Sequence, residues 1–144
     1  MENRRHVLKV LGAATLGGFA GCNGEEGVSE ASGPIAAGQV SDYIIGTLRA
    51  LPNHPVAVGR DEDGFYAMTT ICTHQQCDMR KDGSVTSNGL SCSCHGSQFD
   101  RNGVVLPGSA ARTSLRHYRV GISDGALTVF AGEDVPASTR IPPG

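Results

Sequence analysis

The chain has 144 residues, of which 12 are basic and 14 acidic, with 39 % apolar residues and a formal net charge of −2 at pH 7. This length supports a single small domain, and a near-neutral balance without basic tracts argues against a nucleic-acid partner.

The N-terminal residues read as an export signal. Twin arginines stand in Asn3-Arg4-Arg5-His6-Val7-Leu8-Lys9, and residues 10–20 form an apolar, Gly/Ala-rich run. That run is too short for the approximately 20 residues a membrane-crossing helix needs, so residues 1–21 are expected to be a twin-arginine-type signal. Phe19-Ala20-Gly21-Cys22 resembles a lipobox, with phenylalanine in place of the usual leucine. Lipid on Cys22 would account for the odd one of five cysteines in an exported chain and would anchor the protein on the periplasmic side of a membrane. Residues 22–38, rich in glycine, glutamate and serine, are expected to be a flexible tether. Three of the 12 basic and one of the 14 acidic residues lie in residues 1–21, so the remainder carries nine against thirteen, a net −4.

From residue 39 to 132 the pattern is brief apolar runs cut by turn residues, which predicts a small antiparallel all-β domain. Residues 55–60 and 65–70 form a hairpin through Asp61-Glu62-Asp63-Gly64, which leads into Cys72. Asn88-Gly89 marks a second hairpin between residues 84–87 and 90–91, and Arg101-Asn102-Gly103 a third between residues 98–100 and 104–106. Residues 115–122 and 126–130 alternate with period two, placing Val120 and Val129 in the core. Residues 133–144, with three prolines, read as an extended, disordered tail.

Chemistry concentrates in two boxes: Cys72-Thr73-His74-Gln75-Gln76-Cys77 and Cys92-Ser93-Cys94-His95-Gly96-Ser97. Two cysteines and two histidines are also a structural zinc set, but zinc sites favour Cys-x2-4-Cys with His-x3-5-His. A cysteine and a histidine one residue apart, with a spare cysteine beside each pair, fits that spacing poorly. An iron-sulfur cluster in which two histidines replace two thiolates on one iron needs two cysteines and two histidines.

The boxes resemble the Rieske family, whose pattern is Cys-x-His, a spacer, then Cys-x-x-His; here 17 residues separate His74 from Cys92, and the resemblance runs over roughly residues 40–130. It implies an all-β, antiparallel Rieske-type sandwich with a cluster-binding subdomain at one tip, and one 2Fe-2S cluster. Cys72 and Cys92 match the thiolate ligands of the inner iron, His74 and His95 the imidazole ligands of the outer iron, and Cys77 and Cys94 the family's disulfide. Ser97 matches a serine that donates to a bridging sulfur. Phe99 stands where high-potential members often carry a tyrosine, and Gln75-Gln76 where they often carry Leu-Gly, which points to a lowered potential and a more polar cover. Leu106-Pro107-Gly108-Ser109 resembles the family's shielding loop with Gly-Pro reversed. His54 and His117 lack a cysteine or carboxylate at ligand spacing and read as structural or surface residues.

The resemblance implies a one-electron relay with redox partner proteins, either a carrier or a small subunit of a larger oxidoreductase, with arsenite-oxidase-like small subunits as one pattern. It implies an electron-transfer component of an oxidoreductase, with no independent turnover expected. The alternative is the quinol-oxidising iron-sulfur subunit of a cytochrome bc complex; ring-dioxygenase ferredoxins rank last, because this chain has both disulfide cysteines and an export signal.

Overall fold

The computed structural model describes residues 29–144; the expected signal, Cys22 and the first part of the tether lie outside the described residues. Nine strands follow in order: β1 (Gly33–Gln39), β2 (Leu48–Ala50), β3 (Val56–Asp61), β4 (Gly64–Thr69), β5 (Gly83–Thr86), β6 (Gly89–Cys92), β7 (Ser97–Phe99), β8 (His117–Ser123) and β9 (Ala126–Val135). One turn of 3-10 helix at Val40–Asp42 is the only helical segment among the described residues. The expected all-β antiparallel fold is what forms. β1-β9-β8-β4-β3-β2 make a six-stranded sheet and β5-β6-β7 a three-stranded one.

β4 shows why two layers arise. All six of its residues are buried, as happens when both faces of a strand are covered. Phe65 and Ala67 join Val56, Val58, Val120, Leu127 and Val129 in a core on one face of the large sheet. Tyr66 and Met68 point the other way, into a second core with Met79, Leu90, Phe99 and Leu115 that joins the large sheet to the small one. Val120 and Val129 are 4 % and 0 % exposed, as their alternation predicts.

The hairpins form where expected, with tighter turns. Asp61 pairs with Gly64 across Glu62-Asp63, and the Asp63 N–H donates to Asp61 Oδ1 at 2.9 Å. Thr86 pairs with Gly89 across Ser87-Asn88, so the second turn sits one residue earlier than the Asn-Gly signal implied. Gly89 instead opens β6 at φ +146°, where a Cβ would strike the Phe99 carbonyl. The third turn closes with the Gly103 N–H on Asp100 O at 2.9 Å. Its return segment makes a single bridge, Phe99 with Val105, in place of the expected strand.

Two expectations at the ends are corrected. Residues 33–38 are not free tether: they form most of edge strand β1, with Gly33 to Ala36 paired to Ala131 to Thr128 of β9. Ile35 and Ala37 point inward, each 4 % exposed. Small residues hid this strand, and burial of Ile35 contributes about 1.5–3 kcal/mol to hold it. Pro34 is tolerated because an edge strand can spare an N–H. The C-terminal segment is not a loose tail either. β9 runs on to Val135, and Ile141 exchanges both backbone hydrogen bonds with Phe65, at 2.8 and 3.0 Å. Arg140 ties the segment down further, donating to Asp61 Oδ2 at 2.7 Å and Asn102 Oδ1 at 2.8 Å while lying over the Tyr66 ring at 4.0 Å.

Candidate metal centre

β4 delivers the chain into the first box, and β6 into the second. The first box is itself a small hairpin: Ile71 bridges Asp78, the Cys72 N–H donates to Cys77 O at 2.8 Å, and the Gln76 N–H returns to Cys72 O at 2.9 Å. Gln76 takes φ 61° to close that turn. In the second box the Gly96 N–H donates to Cys92 O at 3.1 Å, with Gly96 at φ +79° and open space where a Cβ would stand. Two tight loops thus face each other from neighbouring layers.

Cys77 and Cys94 form a disulfide that joins the loop tips. The sulfurs of Cys77, Cys92 and Cys94 lie within 4.8 Å of one another, but two of them are spent on that bond. Cys72 and Cys92 are free and buried, at 1 % and 3 % exposure. His74 and His95 are exposed, their ring centroids 5.1 Å apart and nearly perpendicular, at 76°. The arrangement therefore has two thiols inside and two imidazoles outside.

Burial acts to raise the Cys72 thiol, but the Ser97 hydroxyl and the N–H groups of His74 and Gln75 outweigh it and hold its pKa below the usual thiol value. The Cys92 thiol is pushed up, first by burial and then by the adjacent Cys72 charge. Ser97 is 0 % exposed, and apart from the Cys72 sulfur its Oγ finds no partner among the described residues. A buried hydroxyl with only sulfur to turn to fits a group with sulfur acceptors. Phe99 is buried in the core that also contains Cys72 and Cys92.

The proline loop runs alongside β7. The Leu106 N–H donates to Gln98 O at 3.0 Å, and the Gln98 N–H donates to Ser109 Oγ at 2.9 Å. Thr73 Oγ1 donates to Thr113 O at 2.8 Å, linking the first box to the segment after that loop. His54 is exposed. His117 is 3 % exposed, stacked on Tyr66, with Nδ1 at 3.2 Å from Leu115 O.

Three further features had no signal in the sequence pattern. Glu30 Oε1 accepts from Thr69 Oγ1 at 2.7 Å and from the Tyr118 hydroxyl at 2.8 Å; burial and that carboxylate push the Tyr118 pKa up to about 12. A cleft beside the first box is lined by Glu30, Thr69, Cys72, Thr73, Thr113 and Arg116, among others. Asp78 and Arg80 form an ion pair at the base of the first box.

The Rieske [2Fe-2S] domain family matches residues 35–127. The cytochrome b6-f complex iron-sulfur subunit of Synechococcus sp. (strain CC9605) is 30 % identical over 126 residues, 78 % of this chain and 70 % of that protein. The protein of the same name from Prochlorococcus marinus subsp. pastoris is 33 % identical over 99 residues, 68 % of this chain and 54 % of its own length. This chain therefore spans about half to two thirds of these relatives. Among solved structures, the complex of reduced oxygenase and oxidized ferredoxin in carbazole 1,9a-dioxygenase aligns with TM-score 0.50 and 27 % identity, over 72 % of this chain and 96 % of that one. The plasma membrane Rieske protein PetC3 from Synechocystis PCC 6803 aligns with TM-score 0.50 and 25 % identity, over 66 % and 97 %. With two buried free thiols, two paired outer imidazoles and a matching profile across the sheets that carry them, the chain belongs to the Rieske [2Fe-2S] domain family, whose cofactor is one two-iron cluster.

Proposed function

We propose that this protein relays single electrons through a 2Fe-2S cluster held by Cys72, Cys92, His74 and His95, as a carrier or small subunit of a larger oxidoreductase. The observation that carries the reading is the division of the four side chains into buried thiols and exposed, adjacent imidazoles. When bound, the cluster supplies reversible one-electron chemistry. The chain's own residues do the rest. Cys72 and Cys92 keep the inner side dry, His74 and His95 present ring edges to a partner, and the Cys77–Cys94 disulfide keeps their loops together. Ser97 directs its hydroxyl toward sulfur, where hydrogen bonding favours the more negative state.

The protein is exported by its twin-arginine signal and tethered to the membrane through lipid on Cys22, with its redox domain on the periplasmic side. Supporting this is the sequence of residues 1–22; no helix among the described residues is long and apolar enough to cross a membrane. A second reading, the quinol-oxidising subunit of a cytochrome bc complex, is favoured by relatives named as cytochrome b6-f iron-sulfur subunits. Phe99 and Gln75-Gln76 weigh against it.

The purified full chain is expected to show the electron paramagnetic spectrum of a mixed-ligand 2Fe-2S cluster and a potential within about −150 to +300 mV; a colourless zinc protein would sink the reading. Cys22→Ser should release the protein from membranes with its cluster intact, and retention in the membrane fraction refutes the lipid anchor. Rapid reduction by a quinol analogue, in the presence of membranes containing its cytochrome b, would favour the second reading over the first.

A further inference from the structure

The ion pair behind the first box is more enclosed than the other ion pairs among the described residues. Asp78 is 1 % exposed, and the Arg80 side chain is 15 % exposed. The Asp78 carboxylate accepts from Thr70 Oγ1 at 2.9 Å, from the Arg80 backbone N–H at 3.0 Å, and from the Arg80 guanidinium through Nε at 2.9 Å and Nη2 at 2.6 Å. The remaining guanidinium nitrogen, Nη1, reaches the carbonyls of Leu51 and Pro52, both at 3.2 Å. Asp78 follows Cys77 directly and bridges Ile71, while the Met79 N–H donates to Thr70 O at 2.9 Å. The pair thus closes the stem of the hairpin that carries Cys72 and His74, and it bolts that stem to the loop between β2 and β3 of the large sheet.

Stability alone is a weak reason for such a pair. Desolvating two charges costs several kcal/mol, and an apolar pair of the same volume is often as good or better. A planar guanidinium with partners on three sides does offer something apolar packing does not, a fixed orientation. It also places one negative and one positive charge together beside the redox centre. Each alone would shift the potential there: an uncompensated carboxylate lowers it, an uncompensated guanidinium raises it.

We propose that Asp78 and Arg80 are a positioning pair for the redox centre: Arg80 braces the first ligand loop against the large sheet, and the two charges cancel there. The proposal rests on the assignment of Cys72 and His74 as ligands.

The test uses the full-length holoprotein in wild type, D78N, R80Q, the D78N/R80Q double variant and R80K, with three readouts: midpoint potential by voltammetry at pH 7, the paramagnetic spectrum, and amide hydrogen exchange over residues 70–78. D78N should raise the potential, R80Q should lower it, and the double variant should return toward wild type. R80K keeps the charge without the planar fork, so its potential should stay near wild type while exchange over residues 70–78 speeds up about tenfold or more, as expected for losing hydrogen bonds to a charged group. Shifts of the same sign in D78N and R80Q, or unchanged potential and exchange throughout, overturn the proposal. Should D78N or R80Q fail to hold the cluster, wild-type exchange rates in R80K overturn the brace. A wild-type protein without the mixed-ligand spectrum removes the ligand assignment and this proposal together, whereas a normal wild-type spectrum with failed variant predictions removes only the pair.

Discussion

Replacing Ser97 by alanine removes one oxygen atom from a site that is 0 % exposed and leaves the backbone of β7 untouched. Apart from the Cys72 sulfur, on which its influence falls, Ser97 Oγ finds no partner among the described residues. No other acceptor competes for its proton, so the full effect of the deletion falls on the redox centre. A hydrogen bond to a charged acceptor contributes about 1.5–3 kcal/mol. For a one-electron couple about 59 mV corresponds to a tenfold change in equilibrium, or 1.4 kcal/mol. If the bond acts mainly on the reduced state, the Ser97→Ala potential falls by roughly 60–130 mV. Protein-film voltammetry of both proteins measures this directly, with iron and sulfide content and circular dichroism checking that cluster and fold are retained. An unchanged potential in a fully loaded variant would refute the placement of the Ser97 hydroxyl.

Phe99→Tyr adds a donor within the core that contains Cys72 and Cys92; the potential should rise by about 20–60 mV, the value of a neutral hydrogen bond, and a fall contradicts the mapping. Ile35→Ala should lower unfolding stability by about 2–4 kcal/mol in urea melts, whereas a change within about 0.5 kcal/mol would return residues 33–38 to the tether. Burial keeps the His117 pKa below its ordinary value, and the nearby Arg140 adds to that against opposing contributions from Leu115 O and Asp100. The unfolded chain therefore binds a proton that the folded protein refuses, and stability should fall as pH drops below about 6.5. His117→Asn should flatten that slope between pH 7 and pH 5 in urea melts, and an unaltered slope would remove His117 as its source.

The hairpins were legible in the sequence because their signals are local: Asp61-Glu62-Asp63-Gly64 bends the chain whatever surrounds it, and Asn88-Gly89 marks its turn to within one residue. So was membership of the Rieske family, since the residue types and spacing of the two Cys-His boxes are rare outside one chemistry. β1 was not. Gly33-Pro34-Ile35-Ala36-Ala37-Gly38 has one large apolar residue, and its strand exists because Val129 and Ala131 of β9, nearly 100 residues later, supply the partner. The same holds at the other end, where Ile141 is held by Phe65 and proline content alone reads as disorder. The Asp78–Arg80 pair carries no signal of its own in the sequence, standing beside Lys81 and Asp82 in a charged run, and it is enclosed through contacts with Thr70 and the loop after β2.

Glu30 bears on how this domain can move. Its carboxylate grips Thr69 and Tyr118, so the chain joins the domain at the pole where β4 hands over to Cys72. A pivot placed there gives the histidine tip a short lever arm. Tumbling about the root would swing the far pole, with the β3–β4 turn at Glu62-Asp63 and the exposed Ile44 and Ile45, through a wide arc while the tip turns nearly in place. Rotation about Glu30 alone therefore moves the imidazole edges little, and the size of the domain adds scarcely anything to their reach.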